Sequence, residues 1–118
     1  MRRMSKETID QQAEKLVQEL RRGAIVLAVL GQLQQQHYGY SLRQALADRG
    51  FEINEGTLYP LLRRLEKQGL LASEWEIGEG RPRRYYIISD QGKATLLELK
   101  SEWKYLTVVM DRVLSDVS

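Results

Sequence analysis

The sequence predicts a mainly α chain that carries one small β-hairpin, an α+β fold. Three observations carry that prediction. Apolar residues recur at helical spacing through most of the chain, most clearly as Leu96, Leu99, Trp103, Leu106, Met110, Val113 and Val117, at alternating steps of three and four. One stretch, from Ala72 to Ile88, switches to a period of two on either side of a turn rich in glycine. Glycines also stand where helices should stop, at Gly50 and Gly69. A length of 118 residues is that of one ordinary domain with room for a real core.

Taken in order, five helical segments and one hairpin are expected. Residues 5–21 place Ile9, Ala13, Leu16 and Leu20 on one stripe of an otherwise polar helix, with Ser5 as its cap. Gly23 interrupts, and Ala24 to Gln35 form a second helix, apolar nearly all round and therefore buried. A third starts near Gly39 or Tyr40, turns Leu42, Ala45 and Leu46 inward and stops at Gly50. The fourth, Asn54 to Gln68, buries Leu58, Leu61, Leu62 and Leu65, which lie at i, i+3, i+4 and i+7. At about 100° per residue the opposite side carries Gly56, Pro60, Arg63 and Lys67, flanked by Tyr59 and Arg64. Pro60 lacks a backbone donor, so either the regular helix starts nearer Thr57 or its first turn is distorted. In the hairpin, Ser73, Trp75 and Ile77 alternate with Ala72, Glu74 and Glu76; Gly78 to Pro82 turn, and Arg83 to Ile88 return as a β-branched and aromatic strand. Ser89 and Asp90 cap a last helix that runs to about Leu114 and bears the heptad-like seam.

Composition removes several function classes. The absence of cysteine excludes a disulfide scaffold, a thiol nucleophile and a cysteine-ligated metal. A single histidine, His37, argues against a histidine metal cluster or a Ser-His-Asp triad; it reads as a turn residue. Eighteen basic against sixteen acidic side chains give a net charge of only +2, so any nucleic-acid partner must be argued from where the charges sit. The apolar part of the uncharged run that begins at Gly23 stops near Leu33, too short for a bilayer, and acidic residues crowd the stretch before it. A cytoplasmic protein without a membrane partner or a cofactor is expected.

Three helices followed by a hairpin is the order of a winged helix-turn-helix. The fourth helix offers Arg63, Arg64 and Lys67 on its outer face against only Glu66, and Gly56 and Pro60 there let the backbone approach a groove closely. The hairpin tip adds Arg81, Arg83 and Arg84 with no acid among them. Two cationic elements beside one rigid face suit a helix in the major groove with a wing over the neighbouring backbone. Each feature has a plainer reading. Paired arginines on an amphipathic helix are commonly a solvated face, edge arginines keep a hairpin from pairing with other chains, Tyr59 can cover the leucine core, and Met110 can be core filler.

The run Glu55-Gly56-Thr57-Leu58-Tyr59-Pro60-Leu61-Leu62-Arg63-Arg64-Leu65-Glu66 resembles the recognition helix of PadR-type transcriptional regulators. The neighbours match in order: Gly39-Tyr40, Gly69-Leu70-Leu71, Glu74-Trp75, the wing from Gly80 to Tyr86, and Gly92. The resemblance covers residues 22–97 closely and extends loosely to the end. It implies a homodimeric winged-helix repressor whose C-terminal helices form the dimer and which, as is common in the family, responds to a small molecule. Carried over by position, it makes Thr57, Tyr59 and Arg63 on the helix and Arg81, Arg83 and Arg84 on the wing DNA contacts. Tyr40, Arg64 and Lys67 complete the candidate set.

The chain therefore divides into an N-terminal helix (1–22), a winged DNA-binding unit (23–89) and a C-terminal dimerisation helix (90–118). The dimer would pair the seam Leu96, Leu99, Trp103, Leu106, Met110, Val113 and Val117, and the first helix would pack on the partner's last. Trp103, mid-seam, would either line a pocket for a hydrophobic or aromatic effector or fill the dimer core. The expected partner is a pseudo-palindromic double-stranded operator. A winged-helix protein-interaction adaptor is the alternative. An enzyme fares worst, because no nucleophile–base pair, metal constellation or phosphate loop is legible.

Overall fold

The computed structural model describes residues 6–118; Ser5, expected to cap the first helix, lies outside the described residues. The elements run α1 (Lys6–Gln32), β1 (His37–Tyr38), α2 (Gly39–Asp48), α3 (Glu55–Lys67), β2 (Leu71–Glu76), β3 (Arg83–Ile88) and α4 (Asp90–Val113). Among the described residues no helix is long and apolar enough to cross a membrane.

Two expectations are corrected. The helices placed on either side of Gly23 are one helix of 27 residues, which ends at Gln32 and not at Gln35. A glycine inside a helix costs only about 1 kcal/mol against alanine, and Glu19, Leu20, Arg21, Arg22 and Ala24 around it are mostly strong helix formers. The boundary drawn between residues 22 and 23 thus has no break in the backbone. What changes there is environment: residues 6–23 are exposed, whereas Ile25, Val29 and Leu30 are buried. The second correction concerns the sheet. The hairpin gains a third strand, in the order β1-β3-β2, all antiparallel. His37, expected in a turn, pairs with Tyr86 in the ladder, and its Nδ1 lies 3.0 Å from Ser41 Oγ. A two-residue strand is too short to show any period, so only its pairing reveals it.

One cluster forms the core, joining Ile25, Val29, Leu30 and Leu33 with Leu42, Leu46, Ile53, Leu71, Tyr86, Ile88 and Leu96. The four leucines of α3 are its centre: Leu58 and Leu62 are fully buried, Leu61 and Leu65 nearly so. Burying each such side chain stabilises by roughly 1.5–3 kcal/mol, which fixes the rotation of α3 about its axis. Asn54 caps the helix, its side chain accepting from the Thr57 amide at 2.8 Å, and Gly69 at φ +80° stops the chain beyond it. The helix runs from Glu55 with Pro60 inside it. Pro60 leaves the Gly56 carbonyl without its helical donor, but Gly56 and Pro60 are both exposed, so that carbonyl stays open to solvent.

Ser89 caps α4 by accepting from the Gly92 amide at 3.0 Å. The seam of α4 then splits. Leu96 is buried and Leu99 packs against the core, but Trp103, Leu106, Met110 and Val113 are 40–62% exposed, and Val117, expected on the same helical stripe, lies beyond the helix end at Val113 and is 70% exposed. On α1, Ile9, Leu16, Val17 and Leu20 are likewise exposed, at 51–80%.

A candidate nucleic-acid interface

With its leucines turned inward, α3 presents Arg63, Arg64 and Lys67 to solvent. The antiparallel pairing of β1 and β2 to β3 sets the wing beside that face. Between them lies a concave groove of about 730 Å³, and the structure brings Tyr40, Tyr59, Arg63, Arg81, Arg83 and Arg84 to its walls. Thr57 and Arg64 lie on the other flank of α3, around a smaller concavity shared with Arg22 and Pro60. Lys67 is exposed in the last turn. The expected contacts therefore fall into a groove group drawn from α2, α3 and the wing and a flank group of Thr57 and Arg64 on α3, with Lys67 bordering neither.

Tyr59 is half-buried and packs against the core, so its ring does cover leucines while bordering the groove. It leans across Gly39 so closely that a Cβ there would collide with its ring. That is the physical reason for a glycine at the entry to α2. Tyr40, next in sequence, is 70% exposed and free to reach outward.

The three wing arginines differ in their surroundings. Arg81 stands at the exposed turn. Arg83 is also exposed, with its guanidinium 5.4 Å from the Tyr38 ring centroid. Arg84 departs from expectation. No acid accompanies it in the local sequence, yet the fold brings Glu66 of α3 to it, with Nη2 donating to Oε1 at 2.7 Å. Its guanidinium also lies over Trp75 and Tyr86, at 5.7 and 5.4 Å from their centroids. Of the wing arginines it is the one whose charge is already matched.

The acids of β2 are also engaged. The Tyr85 hydroxyl donates to Glu74 at 2.8 Å, and the Tyr38 hydroxyl donates to Glu76. These hydrogen bonds favour the protonated phenols and hold both tyrosines above their ordinary pKa of 10.0. Burial also pushes Tyr86 up, with Arg84 opposing, Glu66 adding and Arg63 opposing. Glu74 and Glu76 are thus tied into hydrogen bonds while Arg63 and Arg81 are exposed. Sequence reasoning missed Tyr38, Ser73 and Glu66 as parts of this site. The one available signal was that Glu66 is the acid set among Arg63, Arg64 and Lys67 in the sequence.

The sequence pattern of the transcriptional regulator PadR-like family matches residues 26–98. The transcriptional regulator Rv3488 of Mycobacterium tuberculosis is 40% identical over 83 residues, which span 70% of this chain and 78% of that protein. The crystal structure of a PadR family transcriptional regulator from Eggerthella lenta superposes with a TM-score of 0.82 at 45% identity, covering 95% of this chain and 99% of the other. A PadR-like transcriptional regulator from Bacillus cereus gives 0.72 at 31% identity, over 81% of this chain and 96% of the other.

Proposed function

The chain belongs to the PadR-like family of transcriptional regulators, and from that premise we propose that it is a homodimeric repressor that grips a pseudo-palindromic operator with α3 and the wing. The observation that carries the reading is the cationic groove: Arg63 on α3 and Arg81 and Arg83 on the wing converge on one concave surface, held by a leucine face that cannot rotate away. In this reading each α3 enters a major groove, the two about 34 Å apart along the duplex. Phosphate contacts supply most of the affinity, and Arg63 and Tyr40 lie where base edges would be read.

The exposed seam from Trp103 to Val117 and the exposed stripe of α1 supply the dimer surface, because an isolated chain would leave both apolar faces in water. Trp103 at the start of that exposed seam is the position for an aromatic or hydrophobic effector. Such a ligand would act by favouring one spacing of the two α3 helices over another, since equal affinity for both would shift nothing.

The test is a mobility-shift assay on the DNA upstream of the protein's own gene, at two salt concentrations, with Arg63→Ala beside the parent. Parent binding should weaken steeply with salt. Arg63→Ala should cost about 1–3 kcal/mol and lose sequence preference. If the variant binds operator and random DNA as the parent does, α3 is not the reading element. No binding by the parent favours the adaptor reading instead.

A further inference from the structure

Of the two acids of α3, Glu55 and Glu66, the second is not a loose surface charge. The Glu66 side chain is 28% exposed and that of Arg84 34%. Glu66 Oε1 accepts from Arg84 Nη2 at 2.7 Å, Glu66 Oε2 accepts from Ser73 Oγ, and Ser73 Oγ accepts from Arg84 Nε at 3.0 Å. These bonds close a ring that joins α3 to both strands of the wing. Trp75 stands opposite Arg84 in the β2–β3 ladder and Ser73 opposite Tyr86, so the guanidinium is held between the two aromatic rings that it overlies.

Such a ring has two consequences. It fixes an angle, because a planar guanidinium bonded through two of its nitrogens tolerates little rotation. It also withdraws a charge, because an arginine already neutralised by a carboxylate displaces no counterion when a phosphate approaches. Arg84 nevertheless borders the groove shared by Arg63, Arg81 and Arg83. Among the described residues those three have no carboxylate within ion-pair distance.

We infer that Glu66 and Ser73 are positioning residues for DNA recognition: they lock the wing to α3 and hold the Arg84 charge off the nucleic acid. Binding is thereby weighted toward Arg63, Arg81 and Arg83, and sequence-independent affinity is kept down. The inference rests on the DNA-binding reading above. Removing the Glu66 charge frees a fourth groove cation for phosphate, so binding to any duplex tightens at low salt and becomes more salt-sensitive.

The test uses the full chain and a random-sequence duplex long enough for two half-sites, with binding followed by fluorescence anisotropy between about 50 and 200 mM salt. Glu66→Gln should steepen the log–log salt slope by about 0.9 per bound protomer, an additional loss of about 3.5-fold per protomer across that fourfold range of salt. The double variant Glu66→Gln/Arg84→Met should return to the parent slope, which a merely structural role for Glu66 would not produce. Ser73→Ala should shift the slope in the same direction by less, and it serves as the test if Glu66→Gln loses its cooperative melting. A salt-sensitive parent with an unchanged variant slope overturns the positioning role alone. A parent that binds no duplex at the lowest salt overturns the DNA-binding reading and this role with it.

Discussion

Gly92→Ala sets helix propensity against packing at the seat of α4, and the two predict opposite signs. Propensity alone makes alanine better than glycine by about 1 kcal/mol inside a helix. The surroundings of Gly92 oppose this. A Cβ there would lie 2.6 Å from Ile88 Cγ1 and 3.1 Å from the Leu70 carbonyl carbon, with the Leu70 carbonyl oxygen closer still. That oxygen cannot move aside cheaply: it accepts from the Ser89 amide at 3.0 Å, and Ser89 in turn caps α4. Overpacking typically costs about 1–3 kcal/mol, and an obstacle made of backbone belongs at the upper end. Setting the propensity gain against it leaves a net loss of about 2 kcal/mol, or about 10 °C in Tm for a chain of this size. Gly23→Ala is the control, since a Cβ there meets nothing within 4 Å and the residue sits inside a continuous helix. It should be neutral or raise stability by up to about 1 kcal/mol. Thermal melts of the three proteins, followed by far-UV circular dichroism at one protein concentration, decide the matter. A Gly92→Ala variant that melts at or above the parent would refute the packing argument.

Two further outcomes are expected. Leu106→Asp on α4 and Leu20→Asp on α1 place a charge on surfaces exposed in the single chain, so each should shift sedimentation toward monomer without unfolding the winged unit; a parent that already sediments as a monomer would remove the dimer from the proposal. Alkali should loosen the sheet around the wing. Tyr38 and Tyr85 have raised folded-state pKa values, so the folded chain keeps these protons longer than the unfolded one; the stability involved is whole below pH 10.0 and is lost as pH rises through the folded values. Glu76→Gln should bring the phenolate absorbance change of Tyr38 back toward 10.0, and an unchanged titration would show that the bond to Glu76 is not its cause.

Much of the fold was legible because its signals are local. The α3 leucines recur at helical period, Asn54 and Gly69 bracket the helix, and Ser89 caps the next one, so each boundary follows from a few adjacent residues. The basic outer face is then a matter of geometry. Gly23 was misleading although it too is local: glycine is a weak helix breaker, and a cost of about 1 kcal/mol is easily outweighed by good helix formers around it. The α4 seam was legible as a stripe but not as two surfaces, because which apolar residues a small core covers depends on where the other helices end.

What the sequence determined by itself is where helical segments lie, though not that the first two are one helix, the face of α3 that turns inward and therefore the face left for a partner, together with the family. What only the tertiary structure decided is how distant residues meet. Glu66 reaches Arg84 eighteen residues away and Arg84 leaves the set of unmatched cations; His37 joins a sheet through Tyr86; Gly92 is required by a carbonyl at Leu70. Periodicity records which way a side chain faces, but it holds no information about which remote atom waits there, because that depends on how separate elements pack in three dimensions.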